Sequence, residues 1–304
     1  MAKQLPITIK LPDGFLNEEE RCGHLISSDM KAVWAVQLDL LSRLQDVCQK
    51  HGLTYYAAGG TLLGAIRHKG YIPWDDDVDV VMFREDYEKL KTIADQEFSY
   101  PYFFQTIETD PLHIRGHAQF RNSETTGYIT GEENLAINKG IFIDVFVLDR
   151  LPDRAFIRKL HTLWLRILFT ILTYKRYGKD EERAGLSRLA GPLFRDVFFR
   201  FVDHRAMYRH YEKLCRKYNG SDDHTVSTVA FTQGRNRRYL YPKEWYDKTV
   251  EQPFEFINVT IPADYDAILR RLYGDYMTIV KGASLHGDVT FDPYHSYQTK
   301  KEHG

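Results

Sequence analysis

The stretch YIPWDDDVDVVMF, Tyr71 to Phe83, sets four aspartates between an aromatic entry and an apolar exit. Carboxylates this close repel one another, so a positive group is expected among them. Side chains alternate along a strand, which puts Asp77 and Asp79 on one face and Val78 and Val80 on the buried other. Two carboxylates about 7 Å apart along a strand can grip a hard divalent cation, and Mg2+ takes one or two of them together with phosphate oxygens and water. AAGG, Ala57 to Gly60, lies upstream, with 16 residues between Gly60 and Asp77. A glycine turn there lets backbone N–H groups come close to a phosphate. Two-metal phosphoryl-transfer sites use a further carboxylate, and Asp144 in GIFIDVFVLD offers one. It shares a strand face with Phe142, Phe146 and Leu148, a costly place for a charge unless it is paired or metal-bound. Asp149, at the strand's end, is a weaker candidate, and Asp75 and Asp76 suit a turn after Pro73-Trp74. A calcium loop of the EF-hand type is excluded, because the run lacks the glycine and glutamate that loop requires.

Several elements must position these groups. Residues 29–50 carry Val33, Val36, Leu40, Leu41, Leu44 and Val47 on one helical stripe, closed by His51-Gly52. LTYYAAGG predicts a strand running into the glycine turn. TLLGAIRHKG predicts a short helix with Thr61 at its N-cap. VDVVMF is a second strand, and REDYEKLKTIADQ a charged helix with Tyr87, Leu90 and Ile93 inward. YFFQTIET, HAQFRN and GIFIDVFVLD add strands. This order predicts an α+β fold, a mixed sheet with flanking helices. The expected divisions are an N-terminal extension (1–28), a catalytic core (29–152), a basic helical subdomain (153–218) and a segment completing the domain (219–304).

The 304 residues carry a net charge of -1, so nothing draws the whole chain to nucleic acid. Residues 154–217 hold 16 Lys and Arg against 6 Asp and Glu, a local net of +10. That basicity suits either a solvated helical face or a surface for something anionic, such as lipid headgroups or a pyrophosphate-bearing lipid carrier. Within it, Phe194, Val197, Phe198, Phe201 and Val202 form an apolar stripe of the kind that more often builds a core. Three scattered cysteines, Cys22, Cys48 and Cys215, form no disulfide framework and no CxxC metal site. With no signal-peptide pattern and no run apolar enough to span a bilayer, a cytoplasmic protein is expected, either soluble or peripheral at the inner membrane face.

GGTLLGAIRHKGYIPWDDDVDV closely resembles the signature of the LicD family, the phosphocholine-transferase group that includes the fukutin-related proteins. FRNSETTGY, NKGIFIDVFVLDRLPD and PADYDAILRRLYGDYM resemble its later blocks, in order, over roughly residues 30–290. The resemblance implies a nucleotidyltransferase-like fold and transfer of phosphocholine, or a related phospho-alcohol, from CDP-choline or a similar CDP-alcohol. The acceptor it implies is a sugar of a cell-surface glycan precursor, lipopolysaccharide or teichoic acid among them, in a lipid-linked or free form. It places Mg2+, with Mn2+ as an alternative, on Asp77 and Asp79, and maps the third carboxylate to Asp144. Gly59, Gly60 and Thr61 would cradle donor phosphate, with Arg67 as clamp and Lys69 beside it. His68, Arg121, Thr125 and His286 are further candidates for substrate contact. His68 fits a structural histidine as well, and FRNSETTGY, which holds Arg121 and Thr125, fits a polar surface hairpin. Two rivals remain open: a nucleotidyltransferase that modifies a small molecule, and a non-catalytic nucleotide binder.

Overall fold

The computed structural model describes residues 4–177, 203–234, 236–281 and 289–299. A hairpin, β1 (Glu19–Arg21) and β2 (His24–Ile26), leads into the long helix α1 (Ser28–His51). The Ser27 hydroxyl oxygen caps α1 by accepting from the Met30 N–H, and Gly52 ends it at a φ of 62°, a left-handed conformation open to glycine. The stripe of Val33, Val36, Leu40, Leu41, Leu44 and Val47 is buried as its period predicts.

The chain then runs through β3 (Tyr56–Ala57), α2 (Gly59–Arg67), β4 (Asp79–Phe83), α3 (Arg84–Glu97), β5 (Tyr102–Gln105), β6 (Ala118–Asn122), β7 (Thr126–Ile129) and β8 (Ile141–Leu151). β8 is buried along nearly its whole length and organises the sheet. Along one edge it pairs in parallel with β4, whose other edge pairs with β3. Along the other edge β6 takes its first half, antiparallel, and β9 (Thr225–Ser227) takes its last residues. β5 lies outside β6, and β10 (Tyr241–Pro242) outside β9, which makes seven strands in one mixed sheet. Helices flank it, as the sequence predicts.

Between β8 and β9 stand α4 (Ala155–Tyr177) and α5 (His204–Cys215). They build a second apolar cluster, in which Leu165, Leu168 and Leu172 of α4 meet Tyr208, Tyr211 and Cys215 of α5. Val229 and Ala230 of the short helix α6 (Val229–Thr232) join it. The stripe expected from Phe194 to Val202 lies outside the described residues. Downstream come the hairpin β11 (Thr249–Phe254) and β12 (Ile257–Pro262), the helix α7 (Tyr265–Tyr273), and β13 (Val289–Asp292), which pairs with β7.

Two local expectations change. α2 begins at Gly59 with Ala58 as its N-cap, so Thr61 sits inside the first turn. Its hydroxyl accepts from the Asp79 N–H at 2.8 Å, which ties the helix to the start of β4. β4 itself enters the ladder at Asp79, leaving Asp77 in the extended approach to it.

Candidate active site

The aspartate loop takes its shape from α1. Trp34 Nε1 donates to the Asp75 carbonyl at 3.1 Å, and Gln37 Nε2 donates to the Asp76 carbonyl at 2.7 Å. Tyr71 stacks on Trp34 with ring centres 4.3 Å apart and 3° between planes, and its hydroxyl donates to Gln37 Oε1. Two backbone carbonyls are thus anchored on the core side by fully buried side chains. One carboxylate oxygen from each of Asp75, Asp76 and Asp77 lies within 4.8 Å of the other two.

The glycines at the start of α2 make room for this charge. A Cβ on Gly60 would stand 2.5 Å from Asp75 Oδ2, and one on Gly59 would stand 3.0 Å from Asp79 Oδ2. Gly59 also has a φ of 52°, a conformation that side chains other than glycine rarely take. Carboxylates at a helix N-terminus are stabilised by its exposed N–H groups and dipole. This is one positive element that the crowding of aspartates calls for. The donors gathered here are hard carboxylate oxygens throughout, a set that suits Mg2+ or Mn2+ and would not suit a soft metal.

Asp144 joins the group from the neighbouring strand. It is the register partner of Asp79 in the parallel β4–β8 pair, so the two side chains leave the sheet on the same face. His117 Nε2 lies 3.0 Å from Asp144 Oδ1, and Gln119 Nε2 donates to the same oxygen at 2.8 Å. Burial alone would raise the Asp144 pKa; the His117 imidazole, the Arg115 charge and the Gln119 hydrogen bond outweigh it and hold the carboxyl below its usual range. An ionised Asp144 is better fitted to hold a cation than to take up a proton. Gln119 is itself oriented by Arg121, whose guanidinium donates to its Oε1. The His117 ring packs against Phe146 (4.4 Å) and the exposed Phe231 of α6 (5.4 Å). Tyr273, at the end of α7, closes the other flank. Burial and then the charges of Asp79 and Asp75 push its hydroxyl pKa above the ordinary phenol range.

Residues 52–126, from just before β3 to the start of β7, match the LicD/FKTN/FKRP nucleotidyltransferase domain family. The matched stretch holds Gly59, Gly60, Asp75, Asp76, Asp77 and Asp79. It is 28% identical to the lipopolysaccharide cholinephosphotransferase LicD of Haemophilus influenzae over 249 residues, 80% of this chain and 89% of that protein. A stretch of 40 residues is 50% identical to the human ribitol 5-phosphate transferase FKRP, covering 13% of this chain and 8% of that protein. A protein of Rickettsia prowazekii is 26% identical over 149 residues, 49% of this chain and 52% of that one.

The structure sets Asp77 with Asp75 and Asp76, which the sequence suggested as turn residues, puts Gly59 against Asp79 and Gly60 against Asp75, and aligns Asp144 with Asp79. Other expected residues stand elsewhere or are already engaged. Arg67 closes the far end of α2, about 12 Å along the helix axis from Gly59. Its Nη1 donates to the carbonyls of Tyr276 (2.8 Å) and Thr278 (3.2 Å), so it fastens the segment after α7 instead of clamping phosphate at the carboxylates. His68 accepts from Arg67 Nε at 2.9 Å and meets Trp74 edge-on, the structural role the sequence allowed. Lys69 is an exposed turn residue at a φ of 57°.

FRNSETTGY is interior, not a polar surface hairpin. Arg121 is fully buried and also donates to Gln105 Oε1 and to the carbonyls of Gly127 and Gly140. The Thr125 hydroxyl donates to the Asn122 carbonyl and accepts from the Ile141 N–H. Both shape the strands behind Asp144 through hydrogen bonds within the protein. His286 lies outside the described residues. His117 and Gln119 were missed, though the alternation His-x-Gln-x-Arg through HAQFR puts three polar side chains on one strand face. No sequence pattern singles out Tyr273.

Proposed function

We propose that the chain moves a phospho-alcohol, phosphocholine in the first instance, from a CDP-activated donor to a hydroxyl of a cell-surface glycan precursor. The observation that carries this reading is the grouping of Asp75, Asp76 and Asp77, with Asp75 and Asp79 against the first turn of α2 and Asp144 aligned with Asp79 on the next strand. The likeness to a lipopolysaccharide cholinephosphotransferase over most of both chains supports the transferred group. The short match to a ribitol 5-phosphate transferase supports a wider class of phospho-alcohols on a glycan acceptor.

Phosphoryl transfer asks little covalent chemistry of a protein; positioning and charge neutralisation supply most of the rate. Asp77 and Asp79, with Asp75 and Asp76 alongside, would hold Mg2+ or Mn2+, and Asp144 would add its ionised carboxylate. When bound, the cation neutralises charge on the donor's diphosphate. The chain's own part is to orient. The first turn of α2, free of side chains at Gly59 and Gly60, receives a donor phosphate on its N–H groups. Thr61 fixes Asp79 through the backbone. His117 and Gln119 hold Asp144 in one rotamer, as groups behind a metal-binding carboxylate commonly do. The acceptor oxygen forms its bond to phosphorus as the bond to CMP breaks.

The test is incubation with CDP-choline, CDP-ribitol, CDP-glycerol or CDP-ethanolamine and Mg2+, with CMP release and the modified sugar as readouts. CMP release from one donor, lost with chelator, is the expected result. Pyrophosphate release from a nucleoside triphosphate with a nucleotidylated product would replace this reading with nucleotidyl transfer. Metal-dependent binding with no turnover of any donor would replace it with a non-catalytic binder.

A further inference from the structure

α4 is apolar on two sides, and among the described residues only one of them is packed. Leu165, Leu168 and Leu172 are packed into the second apolar cluster. On the opposite side Phe156, Leu160, Leu163, Trp164 and Ile167 recur at helical spacing in one stripe, and they are 74%, 53%, 50%, 50% and 40% exposed. A contiguous apolar stripe of this kind on a soluble surface marks a contact site, whereas scattered apolar residues would not. Exposed Lys159 and half-buried Arg166, seven residues apart, border one edge of it, and exposed Arg154 stands at its start. From Ala155 to Tyr177 the helix has five Lys or Arg and no Asp or Glu. Aromatic and leucine side chains on one face with only cations beside them are the signature of a helix that lies in a lipid headgroup boundary. Among the described residues no helix is long and apolar enough to cross a membrane, so this one would lie on the surface and not span it.

A second copy of the chain is a poorer occupant. A twofold contact pairs a patch with itself, and here that would bring basic edges together with no carboxylate on the helix to receive them. The geometry points to docking of this α4 face on an anionic lipid surface, with the Phe156-to-Ile167 stripe in the headgroup region and Lys159 and Arg166 at lipid phosphates. The helix that carries this face packs, on its buried side, against the neighbourhood of the site. Gly234, just past α6, packs so closely on Thr162 of α4 that a Cβ there would come within 2.5 Å of it. Phe231 of the same α6 touches His117, the partner of Asp144. Docking goes beyond the transfer reaction and does not depend on it.

Vesicle co-sedimentation of the full chain tests the idea, comparing phosphatidylglycerol–phosphatidylcholine vesicles with pure phosphatidylcholine at low salt and at about 0.5 M NaCl. Binding to the anionic vesicles should exceed binding to the neutral ones and weaken with salt. The double variant Leu160→Asp/Trp164→Asp should lose at least about tenfold in binding with its melting temperature retained, since both positions are exposed. Lys159→Glu/Arg166→Glu should remove the preference for anionic lipid. Trp164→Phe should keep binding and lose the blue shift of tryptophan emission on docking. Absence of binding to anionic vesicles overturns the proposal. So does binding that is indifferent to salt and lipid charge, or binding that the double variant leaves intact. A concentration-dependent dimer that the double variant dissolves, without vesicle binding, gives the face to a second copy instead.

Discussion

Asp77 and Asp79 stand among like charges at the start of β4, so removing either charge should harm catalysis and spare the fold. Asp77→Asn and Asp79→Asn are each expected to cut CMP release at least about a hundredfold, while the apo melting temperature holds or rises as repulsion is relieved. CMP assays beside thermal melts check both halves. Gln119 acts one step back. Gln119→Leu takes a hydrogen bond from Asp144 and leaves Arg121 with a buried donor unmatched, a cost of about 1–3 kcal/mol. It should also let the Asp144 pKa rise, moving the acid limb of the pH–rate profile upward, a change that general loosening of the fold would not produce. Strand alternation, a local rule, made it legible in the sequence that Asp79 and Asp144 each stand out from an apolar strand, and the register sets them on one face of the sheet. Asp75 was not legible, because its place beside Gly60 depends on Trp34 and Gln37, which anchor the loop from about forty positions away. Arg121 was misjudged for a similar reason. In a polar-looking run nothing local reveals that its donors meet carbonyls of Gly127 and Gly140 inside the sheet.

At the level of elements, α2 fits its neighbours through missing side chains. Gly64 faces the Gly70 carbonyl so closely that a Cβ would lie 2.4 Å from the oxygen. Backbone cannot step aside as a side-chain tip can, so Gly64→Ala should lower stability by about 1–3 kcal/mol, read from denaturant melts. The helix was legible as an element but its start was not. Threonine is the stronger cap residue by preference, yet the chain uses Ala58 and spends Thr61 on Asp79. α4 carries a pH-sensitive group. Burial, with Lys217 nearby, pulls the His161 pKa down to about 4 from its ordinary 6.5. A group whose folded pKa is depressed lends stability that is fully present above the unfolded value and fades as pH falls toward the folded one. Wild-type melting temperature should therefore drop between pH 6.5 and 4, and His161→Gln should flatten that part of the curve.

Over the whole molecule, two apolar clusters are joined by charge. Arg84 at the start of α3 donates to both Asp149 oxygens, at 2.9 and 2.5 Å, and lies 3.7 Å from Glu212 of α5. Asn219 donates to Asp149 as well. Asp149, the weaker metal candidate in the sequence, is thus a buried ion-pair partner. Removing one member of such a pair strands the other, so Asp149→Asn should cost about 3–5 kcal/mol in chemical denaturation. The local charge of +10 over residues 154–217 set this region apart, because net charge is visible without any fold. That β9 returns to β8 was not visible, since three residues of strand carry no register signal of their own.

The junction at the end of β8 has one more consequence. Leu151, where the helical region departs, is the ladder partner of Thr225, where the chain comes back. The chain between these two positions leaves and re-enters the sheet at one closed doorway. The entropy of closing such a span grows only with the logarithm of its length, so descendants of this chain can lengthen, trim or re-decorate it while the acidic strands keep their alignment.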